Sequence, residues 1–93
     1  MDKYLLKLFI TGRTARSEHA IENLKKICEE ELKDKYDLQV IDVLEMPNLA
    51  EDDKVMATPT LIKQLPPPIQ RLVGDLVDRE KVLKYLDIKK RKE

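Results

Sequence analysis

The sequence predicts an α/β sandwich of element order βαβαββα, built around a mixed four-stranded sheet. Three observations predict it. Tyr4–Ile10 is an almost unbroken apolar run, the pattern of a central strand covered on both faces. From Ser17 to about Lys33 the apolar residues recur at spacings of three and four. Two short apolar runs near the end, Thr60–Leu65 and Ile69–Val73, are joined by three prolines.

Each element has its own local warrant. Thr11-Gly12 ends the first run, and Ser17 is the expected N-cap of the long helix, with Glu18 in its first turn. Ala20, Ile21, Leu24, Ile27, Cys28 and Leu32 form one stripe of that helix. Glu22–Lys26 and Glu29–Lys33 lie on the other face as i,i+4 pairs worth ~0.2–0.5 kcal/mol each. Asp34–Asp37 reads as a polar turn and Leu38–Leu44 as the second strand, parallel to the first because a helix joins them. Pro47 suits the start of a short helix running from Asn48 to about Lys54. Pro66-Pro67-Pro68 cannot donate to a ladder, so that joint belongs at the sheet's edge or outside it. Asp78 is placed to cap a last helix whose stripe is Val82, Leu83 and Leu86. Residues 1–88 make one domain, and the basic stretch from Lys89 to Glu93 is expected to fray. Thioredoxin-like topology is the natural member of this class.

Composition narrows the function. Eighteen basic and eighteen acidic residues cancel, so no global field draws the chain to nucleic acid or to a membrane surface. Aromatics are scarce, which excludes base-stacking platforms. No apolar run approaches the ~20 residues of a membrane span, and the start Met1-Asp2-Lys3-Tyr4 has no signal-peptide pattern. A cytoplasmic, soluble protein is expected.

Catalytic groups are few. The single cysteine, Cys28, sits mid-helix on the apolar stripe, where nothing lowers its pKa, so it reads as an inert core thiol. Thioredoxins carry their dithiol just after the first strand; here that place holds Thr11–Ser17, with hydroxyls and arginines instead. Arg13 and Arg16 could meet an anion there, but no nucleotide-binding fingerprint accompanies them. One Cys and one His, His19, cannot make a structural zinc set, and Ser17 and His19 do not face each other as a nucleophile and base would. Glu51-Asp52-Asp53 lacks the ligand spacing of a calcium loop. No enzyme, metal or cofactor is expected. Function is left to surface and shape.

Read together, several stretches resemble the KaiB family. They are Tyr4–Gly12, Val40–Leu44, Ala50–Lys54, the ATPTL run Ala57–Leu61, the LPPP run Leu65–Pro68, the GDL run Gly74–Leu76, Arg79–Leu83 and Leu86-Asp87. The resemblance implies a non-enzymatic partner of the clock ATPase and kinase KaiC, bound at its N-terminal ATPase ring. Such partners modulate KaiC phosphorylation and output signalling. It also implies a metamorphic protein with two folds: the thioredoxin-like monomer and a βαββααβ ground state that self-associates as a dimer or tetramer.

Residues 45–88 hold the ambiguous segments, and a fold switch needs two packings within a few kcal/mol. Pro59, Pro66, Pro67, Pro68, Gly74, Tyr85 and Asp87 are the expected fold-switch positions. X-Pro isomerisation, at ~10–100 s, is slow enough to gate such an exchange, and the thioredoxin-like place of Pro59 makes Thr58–Pro59 a candidate cis bond. Tyr85 stands where cyanobacterial members carry glycine, which favours the form in which this segment is helical.

Lys54, Lys63 and Arg71 match basic positions of the family and are the expected partner contacts. Gln39 and Asp42 lie in the Gln39–Leu44 edge, where unpaired backbone could receive a partner's strand. His19 and Gln39 replace basic residues, and the acidic tail of cyanobacterial members is missing. A simpler pairing with KaiC, or with a sensor histidine kinase, is therefore favoured over a KaiA-like protein. Two other readings stay open: a redox protein of the thioredoxin superfamily, and the input domain of a clock-associated histidine kinase.

Overall fold

A computed structural model describes residues 3–74, 76 and 78–85. Leu86, Asp87 and the basic tail lie outside these residues. The order is β1 (Tyr4–Ile10), α1 (Ala15–Glu31), β2 (Tyr36–Asp42), α2 (Pro47–Asp52), β3 (Thr60–Leu65), β4 (Gln70–Val73) and α3 (Arg79–Tyr85). The strands lie in the order β2-β1-β3-β4. β1 runs parallel to β2 and antiparallel to β3, and β3 pairs antiparallel with β4. The sheet is mixed, as predicted, and β1 and β3 begin and end where the apolar runs do.

Alternation along β1 sorts the core into two layers. Leu6, Leu8 and Ile10 face α1 and α3, where Ala20, Ile21, Leu24, Ile27, Cys28, Val82 and Leu83 close the larger cluster. Phe9 faces the other way and packs with Ile41, Ile62 and Ala50, the last of these from α2. The first face is covered by a long helix and a short one, the second by six residues of helix.

Several boundaries differ from expectation by one or two residues. Thr14, not Ser17, is the N-cap of α1: its Oγ1 accepts the Ser17 N–H at 3.1 Å, and the Ser17 hydroxyl is folded back onto it and buried. The loop offered two hydroxyl residues, and the helix takes the one whose extended backbone leaves the first turn free. β2 starts two residues earlier, at Tyr36, and takes in Asp37 because its outer positions are exposed and tolerate a carboxylate. It also ends earlier, at Asp42. Pro47 is the first residue of α2, where its missing N–H costs nothing.

α3 starts where Asp78 caps it, the Asp78 carboxylate accepting from Lys81 N–H at 3.1 Å. Arg79 then forks onto the Glu30 and Glu31 carboxylates at the end of α1. These two hydrogen bonds, Glu31 first, hold its guanidinium more firmly protonated than usual. The Thr58–Pro59, Leu65–Pro66 and Pro67–Pro68 peptide bonds are cis.

Gly74 closes β4 with φ +104 and donates its N–H to the Pro59 carbonyl at 2.9 Å. A Cβ there would meet nothing within 4 Å, so the constraint is the backbone alone. Gly74→Ala is therefore expected to lower stability by about 1–3 kcal/mol, read from urea denaturation. A loss below a few tenths would show that β4 ends without this conformation.

Candidate interaction surface

The place where this fold class performs redox chemistry is the junction after β1. Here it is tied shut by hydroxyls and backbone. Thr11 Oγ1 meets Thr58 Oγ1 at 2.6 Å, joining the β1 loop to the residue before Pro59. Asp42 Oδ1 accepts from Gly12 N–H at 3.0 Å and from Leu44 N–H at 2.9 Å, fixing the exits of β1 and β2 together. Asp42, expected to meet a partner, is half-buried and its near oxygen is committed to this junction. Arg13 pairs with Glu18 at 3.4 Å on the surface; Arg16 and His19 are exposed.

Cys28 is fully buried in the α1 layer. Burial, and then the charge of Glu29 beside it, push its thiol from 9.0 up to about 12. A thiol held neutral cannot attack a disulfide. Because the folded value is raised, its contribution to stability is whole below pH ~9 and is lost progressively as pH climbs from ~9 to ~12. Cys28→Ala is expected to flatten alkaline destabilisation over that window. The folded protein should also resist a thiol reagent at pH 8 until denaturant is added; fast labelling of the native chain would contradict this. Tyr36, whose hydroxyl donates to Glu29 at 2.6 Å, is likewise raised to about 12, chiefly by that hydrogen bond. Among the described residues, no three His, Cys, Asp or Glu side chains group as a metal site would require.

The less covered face of the sheet carries the charged constellation. In register, Lys7 on β1 lies beside Gln39 on β2 and Ile62 on β3, with Arg71 of β4 next to Ile62. Gln39 and Arg71 are thus three strand spacings apart, about 14 Å. Lys7 Nζ reaches Asp53 Oδ2 at 3.1 Å, both partly shielded. Arg71 donates to the Asp53 carbonyl and, at 3.4 Å, to the Lys54 carbonyl, satisfying acceptors left open at the end of α2. Lys54, at φ +55, turns the chain out of that helix and keeps its side chain exposed. Gln39 is exposed too. Structure therefore gathers Gln39, Lys54 and Arg71 on one face and adds Lys7 and Asp53, which sequence reasoning missed. The signal was present: Lys7 is the one charged residue in an otherwise apolar run.

Lys63 does not join them. It lies on the opposite face, 1% exposed, with its ammonium donating to the Pro66 carbonyl at 2.9 Å and lying 6.0 Å from the Tyr4 ring centroid. The expectation of a surface contact is corrected: the stem is packed between layers and the charge is used within the chain. Pro59 is buried beneath the junction with Thr11, while Pro67 and Pro68 are exposed at the other end of the sheet. Tyr85 ends α3 half-exposed, the Lys81 ammonium 6.0 Å from its ring centroid.

The model of the KaiB domain fits residues 7–88. The circadian clock protein KaiB3 of Synechocystis is 56% identical over 88 residues, covering 95% of this chain and 86% of the relative. Among solved structures, the N-terminal domain of Synechococcus elongatus SasA superposes with a TM-score of 0.75 at 31% identity, covering 96% of this chain and 88% of that one. The Drosophila thioredoxin Deadhead superposes at 0.72 with 20% identity, over 92% and 80% of the two chains, and shows the shared fold alone. A thioredoxin-like sheet whose dithiol position holds Thr11–Thr14, with its thiol sealed in α1, is here the frame of another lineage, and the chain belongs to the KaiB family.

Proposed function

We propose that this chain is a non-enzymatic clock adaptor that docks on the N-terminal ATPase ring of KaiC and modulates its phosphorylation cycle and output. One observation carries the reading: the chain belongs to a family whose members are named circadian clock proteins, while its only thiol is buried and raised to about 12. Gln39, Lys54 and Arg71, with Lys7 and Asp53 beneath, form the contact face, because their exposed polar groups sit on the thinly covered side of the sheet. A sensor histidine kinase or a KaiA-like protein is a second partner, reached at the β2 edge. No described helix is long and apolar enough to cross a membrane, in keeping with a cytoplasmic site of action.

The thioredoxin-like form is the binding-competent one, in exchange with a self-associating ground state. Pro59 and Gly74, hydrogen-bonded to each other, and the Pro66–Pro68 turn are the places where that exchange is decided. Tyr85 tilts the balance. Replacing it with glycine removes ~0.5 kcal/mol of helix preference, so Tyr85→Gly is expected to raise the alternative population about twofold, counted from paired NMR resonances. An unchanged ratio would remove Tyr85 from the switch. The reading as a whole is tested by size exclusion of the chain with KaiC of the same organism, with and without ATP. Co-elution in a nucleotide-dependent manner is expected; separate elution under every condition would overturn it.

A further inference from the structure

The chain holds two kinds of sulfur, and the fold treats them in opposite ways. Cys28 is sealed in the α1 layer with its thiol held neutral. Of the described methionines, Met46 is 51% exposed and Met56 96%, more than any other large apolar side chain among the described residues. A side chain left so fully in water packs against almost nothing of its own chain.

Nor can Met56 retract, because the residues around it are pinned. Arg71 donates to the Asp53 and Lys54 carbonyls, and Lys54 turns the chain at φ +55. Val55 N–H donates to the Ala50 carbonyl at 2.8 Å, and its side chain packs against the Phe9 layer. Beyond Met56, the Ala57 carbonyl accepts from the Thr60 hydroxyl at 2.5 Å, and Thr58 meets Thr11 at 2.6 Å. The thioether therefore stands out from a loop that is tied on both sides of it.

Cysteine oxidation needs a thiolate within reach, whereas methionine needs only an accessible sulfur. We propose that Met56 is the oxidant-sensitive site of this chain, converted by peroxides to the sulfoxide in the folded state, and that this modification weakens docking at the Lys54 face. The sulfur lone pair attacks the outer peroxide oxygen; the O–O bond breaks and an S–O bond forms. Sulfur gives up two electrons and the peroxide gains them. The proton of the transferred oxygen passes to the leaving oxygen, which departs as water or an alcohol. The fold has no stake in this sulfur, so the change alters surface and not structure. It turns a flexible apolar group into a polar, chiral one two residues from exposed Lys54. Resting on the docking reading above, this gives the adaptor an off-state set by oxidant. A sulfoxide reductase, with a dithiol as electron donor, reverses it.

The test treats the intact chain with hydrogen peroxide under native conditions. Trypsin places Met46 in the peptide 36–54 and Met56 in 55–63, so mass spectrometry follows each separately. Met56 should gain its oxygen faster than Met46, by about twofold in proportion to exposure, while Cys28 stays a free thiol. The urea midpoint should not move. Oxidised wild type should bind ATP-bound KaiC about tenfold more weakly than before treatment, and recover with the two epimer-specific sulfoxide reductases. Met56→Leu should show one affinity before and after peroxide, whereas Met46→Leu should keep the drop. Met46 oxidised first, or a lowered urea midpoint, would overturn the proposal without reference to KaiC. So would a wild-type affinity unmoved by complete oxidation of Met56, or an equal drop in Met56→Leu. A reduced chain that never binds KaiC would contradict the docking reading instead, leaving the site to the peptide map.

Discussion

Lys63→Glu is expected to destroy the thioredoxin-like form, lowering its stability by about 3–5 kcal/mol, whereas Lys63→Met should change it by less than about 1.5 kcal/mol. The difference follows from where the side chain ends. Lys63 is 1% exposed, on the α1 side of β3, and its ammonium meets a carbonyl rather than a carboxylate. A glutamate would bury a negative charge against the Pro66 oxygen with no cation placed to receive it. Methionine keeps the length and the apolar stem, removes a buried charge, and releases the carbonyl of Pro66, a residue that is only half-buried. Urea denaturation of the two variants checks this. Equal, small losses from both would show that the side chain escapes to solvent.

Phe9→Ala is expected to cost about 3–5 kcal/mol, a large part of the 5–15 kcal/mol that holds a small domain together. Phe9 is fully buried at the centre of the second layer, against Ile41, Ile62 and Ala50. Ala50 is the buried residue of α2, so the ring is what that short helix rests on. Truncation should therefore loosen α2 before the rest. The Val55 N–H bond to the Ala50 carbonyl, 2.8 Å in the intact chain, reports this as faster amide exchange. Phe9→Leu, which keeps most of the volume, should lose less than about 1.5 kcal/mol. A small loss from the alanine variant would mean that α2 is held by Lys7–Asp53 and Arg71 instead.

Much of the architecture was legible because local signals agreed. β1 and β3 are bounded by Gly12, Pro59 and Pro66, and both were placed to the residue. The stripe of α1 is the buried face residue for residue, from Ala20 to Leu32. Cys28 on that stripe carried its own chemical conclusion. Where sequence reading slipped, the deciding contact was tertiary. Asp37 made the start of β2 look like a turn, and only its position on an edge permits a carboxylate there. Ser17 reads as the cap by residue type, but the extended backbone at Thr14 makes that residue the cap instead. Lys63 was misplaced because alternation along a strand tells faces apart without telling how deeply each is covered. Its acceptor, the Pro66 carbonyl, comes into reach only when the chain turns back after β3. Lys7 escaped notice for the opposite reason: an apolar run hides the one position at which its face is thinly roofed.

Docking on KaiC, as proposed, needs the exterior of this scaffold and nothing of its buried thiol. The most direct measurement is the affinity of the Cys28→Ala chain for the ATP-bound KaiC ring, set beside the wild type. The two dissociation constants are expected to agree within about twofold, a difference under ~0.4 kcal/mol. Binding abolished by loss of the thiol, in a variant that still folds, would contradict it.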